Sequence, residues 1–255
     1  MWLTQEEEAV RAREEEIVVT EVTRFREPAR VCTAGVTADG RVVRPIPYLL
    51  ADFCRKRGIR PGAILVGDWR AVVDASPPHV EDCRYTRVGV SGTASAERFR
   101  EALRATLAST MAEGFGVAIR SRQKCIPEST PPQRSLLTVR VSPARFWLQP
   151  DDLASGRLKA RFRDSGGIEL QYVSVTDRGL FEHVANEGFR VSTIRRLNRF
   201  VRSQEEVYLR LGLSRRYQAP DGRTGFWIQL NGVYTFPQSL SYIPSPEASG
   251  VPGGK

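Results

Sequence analysis

Val207-Tyr208-Leu209-Arg210-Leu211-Gly212-Leu213-Ser214-Arg215-Arg216 is followed, after Pro220-Asp221-Gly222, by Gly225-Phe226-Trp227-Ile228-Gln229-Leu230-Asn231-Gly232-Val233-Tyr234. Val207, Leu209, Leu211 and Leu213 recur at period two, with Tyr208 and Arg210 between them, which predicts a strand with one buried side. Pro220 supplies a fixed φ and Gly222 a left-handed position, so the chain reverses and the two stretches form a β-hairpin. Its decoration is distinctive. Arg215, Arg216, Tyr217 and Arg223 crowd the tip, and Trp227, Gln229, Asn231 and Tyr234 mark the returning strand. Guanidinium groups, aromatic faces and side-chain amides are what nucleic-acid binders direct at phosphates and bases. The same residues also fit a core hairpin with a basic, soluble tip.

Working outward, the 255-residue chain has room for one large domain or two ordinary ones. A hydrophobic share of 41% with 26% charged residues is that of a globular protein. The net charge of +9 favours a polyanionic partner, because cations gain by releasing the counterions condensed on nucleic acid. Lysine occurs only at Lys56, Lys124, Lys159 and Lys255, so the basic charge is almost entirely arginine, the better fork for phosphates and base edges. Residues 135–243 carry 16 Lys/Arg against 10 Asp/Glu, whereas residues 1–134 carry 21 against 18, which makes the later half the more cationic. Cys32, Cys54, Cys83 and Cys125 stand singly, and their spacing gives neither a zinc knuckle nor a redox pair. No secretory signal or membrane-length apolar run occurs, so the expectation is a cytoplasmic protein with reduced thiols and no membrane contact.

Residues 1–16 read as a charged, helix-prone leader. Short β-branched runs at 17–25, 31–37, 41–46, 63–73 and 84–90, with Asp39-Gly40 as a hairpin signal and a brief helix at 49–57, predict a small Greek-key barrel over 17–92. Phe99, Leu103, Leu107 and Met111 fall at intervals of four, which predicts one helix over 95–113. That helix and the Pro-rich stretch to Arg134 form a connector over 93–134. Strands at 136–141, 145–149, 159–162 and 168–176 follow. A helix over 179–186 is capped by Asp177, and one to about Val201 by Ser192 or Thr193. With the hairpin these make a second barrel over 135–243, and 244–255 is a Pro/Gly/Ser-rich tail predicted to be disordered. The predicted class is therefore mainly β with a few helices, as two small barrels in tandem joined by a helical connector.

Several segments carry a family resemblance. In the first half these are Glu21-Val22-Thr23-Arg24-Phe25, Cys32-Thr33-Ala34-Gly35, Gly40-Arg41-Val42-Val43-Arg44-Pro45, Pro61-Gly62 and Pro78-His79-Val80-Glu81-Asp82. In the second they are Arg161-Phe162-Arg163-Asp164, Val175-Thr176-Asp177 and both strands of the hairpin. In that order, over roughly residues 17–240, they resemble the dual OB-containing domain family. The resemblance implies two tandem oligonucleotide/oligosaccharide-binding (OB) barrels and a nucleic-acid-binding role in bacterial proteins of defence or repair.

Catalytic signals are sparse. With only His79 and His183 there is no metal-binding histidine pair, no phosphate-cradling glycine loop occurs, and neither cofactor nor metal is expected. His79, Glu81 and Asp82 are the one catalytic-looking cluster, since His79 and Glu81 share a strand face and can move a proton. The same residues fit a loop hydrogen-bonded to backbone or to Arg44. Asp164 and Asp177 fit turn and N-cap roles better than metal ligation. Arg195, Arg196, Arg199 and Arg202 cover one helix around the apolar stripe Ile194, Leu197 and Val201.

The leading expectation is a non-enzymatic protein that holds single-stranded or structured DNA or RNA on its second barrel. Arg161, Arg163, Arg195, Arg199, Arg215, Arg216 and Arg223 would meet phosphates, Tyr217, Trp227 and Tyr234 would stack, and Gln229 and Asn231 would contact base edges. Two alternatives stay open. One is an enzyme or sensor for a nucleotide-type molecule, with a pocket between the barrels near Arg24, Arg44, His79 and Glu81. The other is an adaptor that binds a protein partner through the leader or the 95–113 helix.

Overall fold

A computed structural model describes residues 14–151 and 156–240. The predicted leader, apart from its last residues, and the predicted tail lie outside the described residues. The chain is mainly β, in two sheets. The first holds β1 (Glu15–Arg24), β2 (Arg30–Thr37), β3 (Val42–Ile46), β4 (Leu49–Leu50), β5 (Ala63–Gly67), β6 (Arg70–Ala71), β7 (Asp82–Arg84) and β8 (Val88–Thr93), with helix α1 (Ala51–Lys56) after β4. Its order is β6-β7-β3-β2-β1-β5-β8, with β4 on β2. Glu15 and Glu16 belong to β1 rather than to a helical leader, because they pair with Gly67 and Val66. The run 63–73 breaks at Gly67, whose place a Cβ would contest with the Trp69 ring at 2.7 Å.

The predicted 95–113 helix is three elements: α2 (Ala96–Ala105), β9 (Leu107–Ala108) and α3 (Met111–Phe115). The break has a physical cause. β9 pairs in parallel with β11 (Leu136–Val141), and Thr110 caps α3 by accepting from the Glu113 N–H at 3.1 Å. Leu107 is consequently exposed while Leu103 and Met111 stay buried. The predicted linker is likewise woven in: β10 (Cys125–Pro127) pairs with β17 (Thr224–Phe236).

The second sheet is completed by β12 (Phe146–Pro150), which follows a 3-10 turn at Pro143–Arg145, and by β13 (Leu158–Arg163), β14 (Glu169–Val175), β15 (Glu206–Leu213) and β16 (Tyr217–Gln218). Its order is β12-β13-β14-β17-β15-β11-β9, with β10 and β16 on β17. Both pairing paths run open from edge to edge. Between β14 and β15 lie α4 (Arg178–Asn186) and α5 (Val191–Arg202). Asp177 caps α4 through the Leu180 N–H at 3.1 Å. Ser192 and Thr193 do not cap α5: Arg190 holds the N-cap position, with no side-chain bond, and Thr193 instead points to Glu187.

One face of this sheet makes the main core. Phe146, Leu148, Ala160, Phe162, Val173, Leu209, Leu211 and Leu230 pack there with Val184 of α4 and Leu197 of α5. The opposite face decides the architecture. The hairpin strand β15 is buried along its whole length, not on one side, because Tyr208 and Arg210 point into the first half of the chain. Tyr234 donates to the Thr20 carbonyl at 2.6 Å, and the Arg24 N–H donates to the Thr176 carbonyl at 2.9 Å. Gly212 leaves room for this seam, since a Cβ there would meet the Asn231 side chain at 2.1 Å.

The described cysteines are free and buried. Among the described residues no helix is long and apolar enough to cross a membrane, and no cluster of metal-ligating side chains occurs.

Candidate nucleic-acid interface

The two halves meet through buried charge. Arg210 and Glu21 are fully buried and joined by a 2.5 Å contact, and Asn231 donates to the same carboxylate at 3.1 Å. The Arg210 guanidinium also reaches Thr106 and Thr138 at 2.8 and 3.2 Å. Thr176 donates its hydroxyl to the Asn231 side-chain oxygen Oδ1 at 2.8 Å. Asn231 and Tyr234, expected to read and stack bases, are thus committed to the seam.

Of the residues expected to line a pocket, Arg44, His79 and Glu81 form the second part of that seam, and Arg24 makes its contacts elsewhere. Arg44 donates to Asp82 at 2.6 Å and to Ser135 at 2.9 Å, and meets His79 Nδ1 at 3.0 Å. Glu81 accepts from the Ser135 and Leu136 N–H groups at 2.8 and 3.0 Å and from the Ser135 hydroxyl at 2.7 Å. Burial first, then the Arg44 and Arg215 charges, lower His79 to about 3, so its imidazole is neutral at neutral pH. A neutral histidine whose Nδ1 faces an arginine, beside a carboxylate spent on backbone donors, is poorly placed to accept a proton from a substrate. Arg24 lies over the Phe181 ring at 3.7 Å.

Most tip arginines also have carboxylate partners. Arg215 contacts Asp82 at 2.8 Å and the Tyr48 hydroxyl at 3.0 Å, so it ties the hairpin to the first half. Arg216 pairs with Glu128, and Arg223 with Asp221 at 2.5 Å. Tyr217 is exposed. Asp164 accepts from the Met111 and Ile168 N–H groups at 3.0 and 2.9 Å, a turn-bracing role.

The first half covers only part of the outer face of the second sheet. Across β12, β13, β14 and β17 as far as Gln229, the outward side chains stay exposed or half-exposed among the described residues, and the register aligns them in rows. Gln149 pairs with Lys159, Lys159 with Ser174, and Ser174 with Gln229. Two residues earlier on β12 and β17 stand Trp147 and Trp227, with Arg161 opposite Trp147. Tyr172, at the bulge of β14 with φ of 55°, has the parity of Ser174 and is exposed. Each ring carries a cation: Arg202 lies over Trp147 at 3.6 Å, Arg223 over Trp227 at 4.9 Å, and Lys124 near Tyr172 at 5.9 Å. Burial first, then the charges of Lys159 and Arg223, hold the Lys124 ammonium below its usual range, which marks the cations as close neighbours.

Trp147, Gln149, Arg145, Arg161 and Arg163 line a depression of about 370 Å³, together with Glu169. Glu169 contacts Arg161 at 3.1 Å and Arg163 at 3.8 Å, and Lys159 contacts Asp151 at 3.5 Å. Arg145, Lys124 and Arg202 have no ion-pair partner among the described residues, so the face keeps an excess of positive charge. At the β12 edge, α5 closes the sheet: Asn198 accepts from the Leu148 N–H at 2.7 Å and donates to its carbonyl at 2.8 Å. Arg195, Arg199 and Arg202 share one exposed stripe of this helix, and Arg202 reaches the Trp147 ring.

Of the residues expected from the sequence, Arg161, Arg163, Arg223, Trp227 and Gln229 therefore come together on one face, with Arg195 and Arg199 at its rim. Arg215, Arg216, Asn231 and Tyr234 do not join them. Sequence reasoning missed Trp147, Arg145, Gln149, Tyr172 and Lys124, whereas Lys159 stands in the basic run Arg157-Lys159-Arg161-Arg163 and Arg202 on the arginine-covered helix, both legible as candidate phosphate contacts. The signal was legible in Arg145-Phe146-Trp147-Leu148-Gln149, whose alternation puts a tryptophan on the polar side of a strand.

Asp177 has a role apart from this face. Buried at the α4 cap and near Glu21, its carboxyl is pushed up to about 6 from an ordinary 3.8. A raised acid stabilises the fold below its unfolded value, and that contribution is lost as pH rises through the folded value. Stability from Asp177 therefore falls between about pH 4 and pH 6. Asp177→Asn keeps a capping side chain and removes the titration. Relative to the parent chain, it is expected to gain on the order of 2 kcal/mol between pH 4 and pH 7 in urea melts. A difference profile flat across that window would contradict the assignment.

Compared with known proteins, no family model matches the chain, and no curated protein matches it in sequence.

Proposed function

We propose that the chain binds nucleic acid without catalysis, on the open part of the outer face of its second sheet, as a single strand or an unpaired stretch. The single observation that carries this is the ring-and-cation pattern: Trp147, Tyr172 and Trp227 on one face, each beside a cation. Stacking on rings tolerates any base, while adjacent guanidinium and ammonium groups neutralise the phosphates between bases. The row Gln149, Ser174 and Gln229 supplies amide and hydroxyl groups for base edges. On this reading the second half is an OB-type barrel, and the first half, related to it through the seam, acts as a brace that leaves one strip of sheet uncovered. The nucleotide-pocket alternative is disfavoured because the Arg44 and Glu81 polar atoms are already spent on Asp82, Ser135, His79 and Leu136.

The test is fluorescence anisotropy of a labelled unstructured oligonucleotide over a salt series. Binding is expected to weaken linearly in log[salt], and Arg202→Ala, which removes a guanidinium with no ion-pair partner among the described residues, to lower the magnitude of that slope by about one. Absence of binding at low salt, or an Arg202→Ala slope equal to that of the parent chain, defeats the proposal.

A further inference from the structure

A second depression, of about 400 Å³, opens beside the first and is lined by Arg140, Ser142, Arg145, Arg163, Asp164, Ser165 and Gly167. Arg145 and Arg163 line both. We propose that this end pocket receives the terminal phosphomonoester of the bound strand, an inference that rests on the nucleic-acid reading of the neighbouring face.

The chemistry is that of a charge-dense anion site. Three guanidinium groups converge from separate places: Arg140 from β11, Arg145 from the turn before β12, and Arg163 from the end of β13. The one carboxylate in the lining, Asp164, is buried and has both oxygens engaged by backbone N–H groups, so it is held in place rather than free to approach an arginine. The outside carboxylates are partial partners: Glu206 lies 3.5 Å from Arg140 and is shared with Arg100 at 2.6 Å, and Glu169 lies 3.8 Å from Arg163. Arg145 has no ion-pair partner among the described residues. Guanidinium forks match phosphate oxygens in pairs, and a terminal phosphomonoester carries about −1.5 to −2 charges against −1 for an internal diester.

Continuity with Trp147 decides between a strand end and a passing strand. Trp147 lines the first depression with Arg145 and Arg163, and those two arginines also line the second. A last base stacked on Trp147 therefore delivers its own phosphate to the arginine triad. Arg140 belongs only to the end pocket, so it separates the two functions.

Affinities of one oligonucleotide sequence are compared with a 5′-phosphate, a 3′-phosphate or hydroxyls at both ends, beside a free nucleoside monophosphate and inorganic phosphate. One phosphorylated end is expected to bind at least about tenfold more tightly than the hydroxyl-ended strand. Arg140→Ala is expected to abolish that preference while the hydroxyl-ended strand binds as before, which also shows that the variant is folded. Equal affinity for all three ends, with binding intact, overturns the end pocket and leaves the face. A nucleoside monophosphate that binds as tightly as the phosphorylated strand assigns the same phosphomonoester chemistry to a free nucleotide and overturns the strand-end assignment. Loss of binding by every oligonucleotide removes both.

Discussion

Arg210→Met is expected to lower the free energy of unfolding by about 3–5 kcal/mol, read as a fall in the urea midpoint at unchanged m-value. The substitution leaves Glu21 as a fully buried carboxylate with Asn231 as its remaining side-chain donor. A buried charge stripped of its partner costs far more than the pair contributes when intact, because desolvation is no longer offset. Thr106 and Thr138 lose an acceptor-facing guanidinium at the same time. The paired substitution, Glu21→Met with Arg210→Met, is expected to recover most of the loss. Arg210 Nη2 has no hydrogen-bond partner among the described residues, so the ion pair is itself incompletely satisfied and an apolar pair of similar volume competes well. A single-substitution loss below about 1 kcal/mol would mean that water reaches the pair and that the halves are not locked there.

Trp147→Ala is expected to weaken oligonucleotide binding by roughly ten- to a hundredfold, the 1–3 kcal/mol that a base loses with its stacking partner. The ring is partly exposed at the β12 edge and lies outside the buried core, so the melting temperature should barely move. Arg202 loses its stacking surface in the same variant, which adds to the effect. Arg216→Ala provides the contrast. Glu128 already neutralises that guanidinium, and little change in affinity is expected. Reversal of this order, with Arg216 decisive and Trp147 silent, would move the interface from the sheet face to the hairpin tip.

The contrast between those two residues shows how far the sequence could be read. Alternation located most strands, and the Pro-Asp-Gly turn located the hairpin, because both depend on chemistry within a few residues. The long helix over 95–113 was misread for a related reason. Its four-residue stripe is real in α2 and α3, but a parallel pairing of β9 with β11, some thirty residues away, takes two residues between them. Period alone cannot register a partner that distant. Of the residues expected at the interface, Arg161, Arg163, Trp227 and Gln229 lie on the face that strand parity gives them. Asn231 and Tyr234 were misplaced because parity says which side of a strand a residue faces and not what covers that side.

Local composition by itself determined that this chain would build sheets, reverse at glycine turns, keep its thiols apart and concentrate arginine in its later half. Tertiary structure alone decided which arginines are available. Arg210, Arg44 and Arg215 became joints between the halves, while Arg145 and Arg202 stayed on an uncovered strip without a carboxylate partner among the described residues. The physical reason is that a guanidinium has the same charge everywhere along a sequence, but its energy depends on the water and carboxylates around it, and those are set only when two sheets meet.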